Sequence, residues 1–267
     1  MNNKYLIPIF YIIIYFILNF KKKIEKFQDK KKFAVCFFGL TRSLKYTLPD
    51  IEKNIFQVLK DNNINYDIYL HTYNLKELNL KRSGENNNLD TDEWKLLKPN
   101  YYQIDNQEDF DKSYDYEFIK KYGDYWKTDF QNTFNLIRQF NSLNQLKKLI
   151  KKKYDYYLIL RPDLLYIDKL DINLINKYLD NKNIIITPGW EKWRGLNDRF
   201  CFCSEDVMKI YTSRLDNVRK YLRDTKKSLH SETYLKYIIE KNNIKNINTN
   251  MRAKRIRSNG VIVEEKF

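Results

Sequence analysis

Short apolar runs and longer amphipathic stretches alternate between residues 33 and 160. Residues 33–38 and 156–160 are short and continuously apolar, as expected for buried strands of a parallel sheet, and residues 66–73 alternate like a further strand. Residues 48–59 and 130–153 carry apolar side chains at spacings of three and four, which predicts helices that pack on the sheet. This alternation predicts an α/β domain with a mixed, mostly parallel central sheet flanked by helices.

Shorter elements are predicted in the second half of the chain. They are a helix (171–179), two strands (183–187 and 200–203), helices that begin after Ser204 and near Leu229, and late strands (244–247, 254–257 and 261–265). We expect the Ser204 hydroxyl to cap its helix. Residues 74–129 are rich in aromatic side chains without a clear period, and their polar stretch 81–93 predicts a loop inside an insertion.

The first 32 residues differ from the rest. Residues 5–20 carry no charge and, as a helix, span about 24 Å, slightly less than the ~30 Å hydrocarbon core of a bilayer. Seven lysines follow up to residue 32, and no small-residue site suggests cleavage of a signal peptide, which is the alternative. We expect a single-pass membrane anchor and basic linker over residues 1–32, and one domain over residues 33–267. The positive flank predicts that this domain faces the cytoplasm.

Composition narrows the classes of partner and cofactor. The net charge is +15, but lysine, asparagine, isoleucine and tyrosine are abundant together, so the charge reflects a biased composition and we expect no nucleic-acid partner. Six glycines argue against a glycine-rich phosphate loop. Three cysteines (Cys36, Cys201 and Cys203) and two histidines predict neither a disulfide framework nor a structural zinc site. We expect a structural role for His71, near the end of a predicted strand.

Two polar clusters follow predicted parallel strands. Gly39, Thr41 and Arg42 come after the first strand, and Arg161 and Asp163 come after the strand at residues 156–160. Because the carboxyl ends of parallel strands meet at one edge of a sheet, we expect these clusters to converge. Helix-start N–H groups, a hydroxyl and guanidinium groups suit a diphosphate. The alternatives are an ordinary turn with a solvated Arg42 and a surface ion pair between Arg161 and Asp163.

Two further clusters lie in the second half. Asn197, Asp198 and Arg199 end a loop that contains two tryptophans, and His230 and Glu232 lie where a helix begins. Asp198 and Glu232 are candidate general bases. For Glu232 the alternative is stabilisation of the helix N-terminus by its charge.

The segments FFGLTRSL, YDYYLILRPDLLY, GLNDRFCFCS, LHSETYL and RIRSNG, in this order, resemble glycosyltransferase-like proteins of large DNA viruses and of some bacteria and algae. These proteins are similar to the GT-A nucleotide-sugar transferases, and the resemblance covers roughly residues 33–260. It implies a Rossmann-like GT-A domain that transfers a sugar from a nucleotide-diphospho-sugar to a glycan, protein or lipid acceptor. In a domain of this kind, the candidate residues for binding the nucleotide sugar or the acceptor are Gly39, Thr41, Arg42, Arg161, Asn197, Arg199 and His230, and the candidate catalytic residues are Asp163, Asp198 and Glu232.

The resemblance also raises the question of a metal. In GT-A enzymes an acidic DxD motif holds a divalent cation on the diphosphate, and here the matching residues are Arg161, Pro162 and Asp163. Asp163 is therefore the single candidate ligand for Mn²⁺ or Mg²⁺, while Arg161 places a positive charge where the metal would act. Metal dependence, the choice between Asp198 and Glu232 as base, and the inverting or retaining outcome all stay open.

Two other classes of function compete with this interpretation. One is a non-catalytic nucleotide- or glycan-binding protein of the same fold. The other is a nuclease, since Pro162 and Asp163 with Glu264 and Lys266 mimic a PD…ExK pattern. About a hundred residues separate the two halves of that pattern, so chance explains it better.

Overall fold

A computed structural model describes residues 31–80 and 82–267 of the chain. The strands of these residues are β1 (Lys32–Phe38), β2 (Asn65–Tyr73), β3 (Glu77–Leu80), β4 (Glu85–Asn88), β5 (Tyr101–Asp105), β6 (Tyr156–Leu160), β7 (Leu164–Tyr166), β8 (Ile184–Pro188), β9 (Cys201–Cys203), β10 (Lys245–Thr249) and β11 (Ala253–Arg255). The α-helices are α1 (Leu44–Ile51), α2 (Gln57–Asp61), α3 (Gln107–Ser113), α4 (Tyr116–Lys120), α5 (Gln131–Leu149), α6 (Ile172–Tyr178), α7 (Glu205–Thr212), α8 (Arg214–Thr225) and α9 (Ser231–Lys241), and a π-helical turn (Glu52–Phe56) joins α1 to α2.

Seven strands form the central sheet in the order β10-β8-β9-β6-β1-β2-β5. β1 lies between β6 and β2 and is parallel to both, while β9 is antiparallel to its two neighbours. The predicted mixed, mostly parallel α/β sheet is therefore confirmed. Two small antiparallel pairs, β3 with β4 and β7 with β11, lie outside it.

Both faces of β1 are buried, which explains its continuous apolar sequence. Phe33, Val35 and Phe37 belong to the core layer under α1, α2 and α6, whereas Cys36 and Phe38 belong to the layer under α5 and α7–α9. β1 is thus fixed at the centre of the domain, and its carboxyl end is held beside that of β6. A rigid edge of this kind is where an α/β sheet positions a ligand site.

Several predicted boundaries are wrong in detail. α5 ends at Leu149 rather than residue 153 because Ile150 adopts extended backbone angles. Ser204 precedes α7 but does not cap it through its side chain, because its hydroxyl donates to the carbonyl of Lys182 at 2.9 Å. The predicted strand at 261–265 is reduced to a single bridge between Ile256 and Ile262.

The aromatic insertion contains more regular structure than predicted. β3 and β4 pair within it, so part of the predicted loop 81–93 is a strand, and β5 extends the central sheet beside β2. The sequence of β4, Glu-Asn-Asn-Asn, shows no apolar alternation because backbone pairing to β3 holds it. Ring contacts such as Tyr69 with Tyr101 show that many of the aromatic side chains pack.

The predicted membrane anchor at residues 5–20 lies outside the described residues. Within residues 31–80 and 82–267, no helix combines the length and apolar character needed to cross a bilayer.

Candidate active site

A cleft of about 720 Å³ opens where β1 and β6 end. Its walls come from the turns after these strands, the loop before β9, the start of α9 and the C-terminal segment. Most of the predicted site residues line it, namely Gly39, Arg42, Arg161, Asp163, Asp198, Arg199, His230 and Glu232. Residues far apart in the sequence therefore share one cavity.

Two arginines hold Asp163 at one wall of the cleft. Arg161 donates from Nε and Nη2 to its two carboxylate oxygens at 2.9 and 2.7 Å, and Arg42 donates from Nη2 to Oδ2 at 3.3 Å. Burial raises the pKa of Asp163, but the charges of Arg161 and Arg42 lower it more, and the net pKa lies well below the ordinary value. The clusters after β1 and β6 thus converge as expected, with Asp163 ionised.

Glu85 of β4 is a second anchor for the arginines. Its carboxylate lies 3.5 Å from Nη1 of Arg42 and 3.1 Å from Nη1 of Arg257, and it accepts the backbone N–H and hydroxyl of Ser258. Its side chain is almost fully buried. Sequence reasoning missed Glu85 because it lies in a polar stretch that reads as a loop.

Arg199 links the loop before β9 to the C-terminal segment. Its Nη2 donates to Glu191 and to Glu265 at 2.6 Å each, and Arg255 also donates to Glu265, at 2.8 Å. The guanidinium of Arg199 lies over the ring of Trp190 at 4.8 Å. Arg199 therefore lies in a fixed position on the wall of the cleft.

Asp198 is buried and carries several fixed partners. It accepts hydrogen bonds from the Ser231 hydroxyl and from Gln139, and it lies 3.6 Å from Nη1 of Arg214. Burial raises the pKa of Asp198, but the charge of Arg214 and the Ser231 hydrogen bond outweigh this, and the net pKa is lowered. Asp198 is thus held as a carboxylate.

Arg214 is a residue that sequence reasoning missed. Its side chain is fully buried, and its guanidinium lies 4.8 Å from the ring of Phe140 and 4.2 Å from that of Tyr211. At the first position of a polar helix it resembles a surface residue. Its burial depends on the rings of Phe140 in α5 and Tyr211 in α7, so the sequence around Arg214 alone does not indicate that it is buried.

Glu232 has the opposite environment to Asp198. Burial, and next to it the charge of Asp198, raise the pKa of Glu232 to about 8. Burial lowers the pKa of His230, whose Nε2 lies 3.1 Å from the Glu232 carboxyl group. Near neutral pH the carboxyl is therefore mostly protonated and lies beside a neutral imidazole, whose Nδ1 is 3.3 Å from the Thr233 hydroxyl. This arrangement suits a group that exchanges a proton.

The loop before β9 is clamped onto the backbone of Glu232. Leu196 N–H donates to the carbonyl of Glu232 at 3.0 Å. Gly195 packs so closely there that a Cβ atom would lie 2.5 Å from the backbone nitrogen of Thr233, and closer still to the Glu232 carbonyl. Only glycine fits at this contact, so the position of the loop and that of the start of α9 depend on each other.

Two predicted ligand residues do not reach the cleft wall. Thr41 is buried beside it, and its carbonyl accepts the Leu44 N–H at 3.2 Å. Asn197 is buried, donates to the Trp190 carbonyl at 2.8 Å and accepts the Arg199 N–H at 3.0 Å. Both residues hold turns that position their neighbours.

His71 supports the turn after β1 from the core. It is fully buried and lies 2.8 Å from the Ser142 hydroxyl and 3.0 Å from Asp105. The same hydroxyl accepts the Gly39 N–H at 2.9 Å, at a position where the positive φ of Gly39 (+95°) favours glycine. The Ser142 hydroxyl is buried and shared by these partners, which argues against a nucleophile.

Two aromatic rings stay exposed at the cleft. Tyr125 is 50% exposed and packs on His230 with 4.1 Å between ring centroids, and Trp193 is 55% exposed. Both line the cavity. The exposed faces of Tyr125, from the insertion, and of Trp193, from the loop before β9, are therefore available to a ligand.

The donors around Asp163 do not fit a divalent cation. Three guanidinium N–H groups occupy its two oxygens, so a cation placed there would meet positive charge. Across the described residues, no three histidine, cysteine, aspartate or glutamate side chains are grouped so as to hold a metal. At phosphate sites Mg²⁺ is held by one or two carboxylates together with water and phosphate oxygens, and the oxygens of Asp163 are already committed to Arg161 and Arg42.

Comparisons with solved structures give distant similarities to two glycosyltransferases. The chain is similar to mouse xyloside xylosyltransferase 1 in its apo form, with 12% identity and a TM-score of 0.40 over 79% of this chain and 82% of that chain. It is also similar to the galactosyltransferase LgtC in complex with donor and acceptor sugar analogues, with 10% identity and a TM-score of 0.39 over 81% of this chain and 72% of that chain. Similarities this distant carry no argument about the site.

Sequence comparison assigns a family. No protein of curated function matches the sequence, and none of the comparisons supports a viral source. The model of a domain of unknown function, DUF7796, matches residues 28–253, which include β1 to α9 and most of the cleft. The chain therefore belongs to the DUF7796 family.

Proposed function

We propose that the protein is a glycosyltransferase that moves a sugar from a nucleotide-diphospho-sugar to a hydroxyl group of a glycan, protein or lipid. One observation carries the proposal: a single cleft pairs an arginine-rich wall with a carboxyl group whose pKa is about 8. Departure of a nucleoside diphosphate develops negative charge, and the attacking hydroxyl must lose a proton. The cleft contains groups suited to both tasks.

The donor diphosphate binds at the wall formed by Arg42, Arg161 and Arg199. Guanidinium groups match phosphate oxygens with paired N–H donors and stay charged at every relevant pH. Gly39 leaves room for a ligand at the end of β1, because no heavy atom lies within 4 Å of where its Cβ would stand. The donor sugar then points toward Asp198 and Glu232 across the cleft.

Glu232 is the general base in this proposal, and Asp198 is not. Asp198 is a weak base because its pKa is lowered. Its carboxylate oxygens also already contact Ser231, Gln139 and Arg214, which leaves few lone pairs free to accept a proton. A carboxylate whose pKa is near the working pH is the stronger base, and the ionised fraction of Glu232, which grows as the pH approaches 8, accepts the proton. Asp198 instead stays ionised, so it can accept hydrogen bonds from sugar hydroxyl groups.

The acceptor binds between the exposed rings of Tyr125 and Trp193. Both rings line the cleft, and Tyr125 packs on His230, the partner of Glu232. An aromatic face offers a flat apolar surface to the C–H groups of a sugar ring. An acceptor on these rings lies within the same cavity as the base.

Turnover of nucleotide sugars tests the proposal. UDP- and GDP-linked hexoses, N-acetylhexosamines and pentoses are incubated with the protein and a panel of glycan acceptors, and released nucleoside diphosphate is measured. We expect turnover of at least one donor, and a loss of about 10²- to 10⁴-fold in Glu232→Gln. Glu240→Gln is the matched control, because Glu240 lies on the same helix, pairs with Lys236 and is outside the cleft.

The alternative is a binding protein without turnover. Nucleotide-sugar binding that is equal in the wild type and Glu232→Gln, with no release of nucleoside diphosphate, would establish that alternative and reject the transferase.

The predicted anchor at residues 5–20 would hold the domain against the cytoplasmic side of a membrane. Protease treatment of sealed vesicles tests the predicted orientation. In vesicles whose cytoplasmic face is on the outside, a domain on the cytoplasmic side is digested. Protection of the domain would place it on the opposite side.

A further inference from the structure

We infer that the diphosphate site of this cleft works without a divalent cation, with guanidinium groups supplying all of the positive charge and Asp163 serving as their anchor. This inference rests on the proposed function and names the chemistry of its donor site. The ligand class is a pyrophosphate group, free or as part of a nucleoside diphosphate.

The first observation is the saturation of Asp163. A carboxylate offers about four lone-pair positions, and three already accept N–H groups of Arg161 and Arg42. The Arg161 contacts are bidentate, which is the strongest geometry for this pair of groups. Asp163 is also 97% buried, since its exposed fraction is 3%. A metal would have to displace arginines that are themselves held in place.

The second observation is the charge of the wall. The arginines that line the cleft near Asp163 are Arg42, Arg161, Arg199, Arg255 and Arg257. Their carboxyl partners are Glu85, Asp163, Glu191 and Glu265. Five guanidinium charges therefore face the four carboxyl groups of these partners, and the wall keeps an excess of one positive charge.

The third observation is unused donor capacity. Within the described chain, Nε of Arg42 and Nη1 of Arg199 are buried nitrogens without a hydrogen-bond partner. Both side chains are only 8% exposed, and both residues line the cleft. Buried donors without partners are costly, and a small shift of either guanidinium toward a phosphate oxygen in the cleft would relieve that cost.

Together these observations assign Asp163 a different role from that of a metal ligand. It orients Arg161 and Arg42 toward each other, so that two cations share one anion and project their remaining N–H groups. An excess positive charge fixed before the ligand arrives stabilises the negative charge on a departing diphosphate. Asp163 is therefore a positioning residue.

Calorimetric titration with inorganic pyrophosphate and with UDP and GDP tests this site. Buffers are freed of metal with a chelating resin, which avoids adding a competing polyanion, and the titration is repeated with MnCl₂. We expect pyrophosphate to bind in metal-free buffer, with Mn²⁺ changing the affinity by no more than about twofold, since charge-assisted hydrogen bonds supply the binding.

Three variants separate the roles. Arg161→Ala should weaken pyrophosphate binding by about 10- to 100-fold, as expected for lost hydrogen bonds to a charged group. Asp163→Asn should weaken it less and leave it independent of metal. Arg252→Ala is the matched control, because Arg252 makes a similar bidentate pair with Asp168 at 2.8 Å outside the cleft. Thermal unfolding shows that each variant is folded.

Binding that appears only with Mn²⁺, or a Mn²⁺ requirement that Asp163→Asn abolishes, would overturn the inference, as would no pyrophosphate binding in either buffer. The outcomes are separable from those of the proposed function. Metal-free pyrophosphate binding without turnover of any nucleotide sugar rejects the transferase alone, whereas turnover that needs Mn²⁺ rejects the metal-free site alone.

Discussion

Replacing Gly195 by alanine tests whether the loop before β9 sets the position of Glu232. The added Cβ would lie 2.5 Å from the backbone nitrogen of Thr233, whereas non-bonded heavy atoms ordinarily stay about 3.5 Å apart. The backbone at the start of α9 must therefore shift by at least about 1 Å, because the Glu232 carbonyl is nearer still, and the Leu196 hydrogen bond to Glu232 is lost. A displacement of this size costs about 10²-fold in kcat when it misplaces a reacting group.

The assay measures kcat for nucleotide-sugar turnover together with the melting temperature. Overpacking of this kind also costs about 1–3 kcal/mol, which lowers the Tm by about 2–10 °C in a domain of this size. Gly189→Ala is the control in the same loop, because its Cβ would meet Asn248 and Thr249 at 3.3 Å, which a small adjustment relieves. Unchanged kcat and Tm in Gly195→Ala would refute the reasoning. Unchanged pyrophosphate affinity in that variant shows that the arginine wall is intact.

Three further predictions concern single side chains. Because the pKa of Glu232 rises from 4.5 to about 8 on folding, its protonated form is favoured in the folded state. As the pH rises between these two values, the free energy of unfolding of the wild type should fall relative to that of Glu232→Gln by about 1.4 kcal/mol per pH unit. Urea unfolding measures this difference, and a constant difference across the range would contradict the assignment. Trp193→Ala should raise the KM for the acceptor about 10-fold with little change in kcat, and an unchanged acceptor KM would remove Trp193 from the acceptor site. Arg214→Met should lower the free energy of unfolding by about 3–5 kcal/mol, because Asp198 is left without its cation. Adding Asp198→Asn should recover part of that loss, and equal stability of the single and double variants would argue against an ion pair between Arg214 and Asp198.

The sequence was sufficient to predict the centre of the fold. β1 and β6 were predictable because strands buried on both faces must be continuously apolar, and their neighbouring carboxyl ends then bring Arg42 close to Asp163. The anchors of the site were not predictable in this way. Arg257 meets Glu85 across 172 residues of chain, and such long-range pairs leave no periodic signal. For the same reason, the sequence could not show that Thr41 and Asn197 are buried beside the cleft and do not line it.

The roles of the three site carboxyl groups follow from what surrounds each of them. Asp163 and Asp198 are both buried beside arginines, so both stay ionised and serve to fix other groups. Glu232 is only partly exposed and lies near the charge of Asp198, and no arginine of the described residues hydrogen-bonds to it, so it keeps its proton until the pH approaches 8. Two carboxyl groups whose pKa values are pushed apart in one cleft divide the work of holding charge and moving a proton. Arg214 maintains this division, because the charge that it keeps on Asp198 is also a charge that raises the pKa of Glu232.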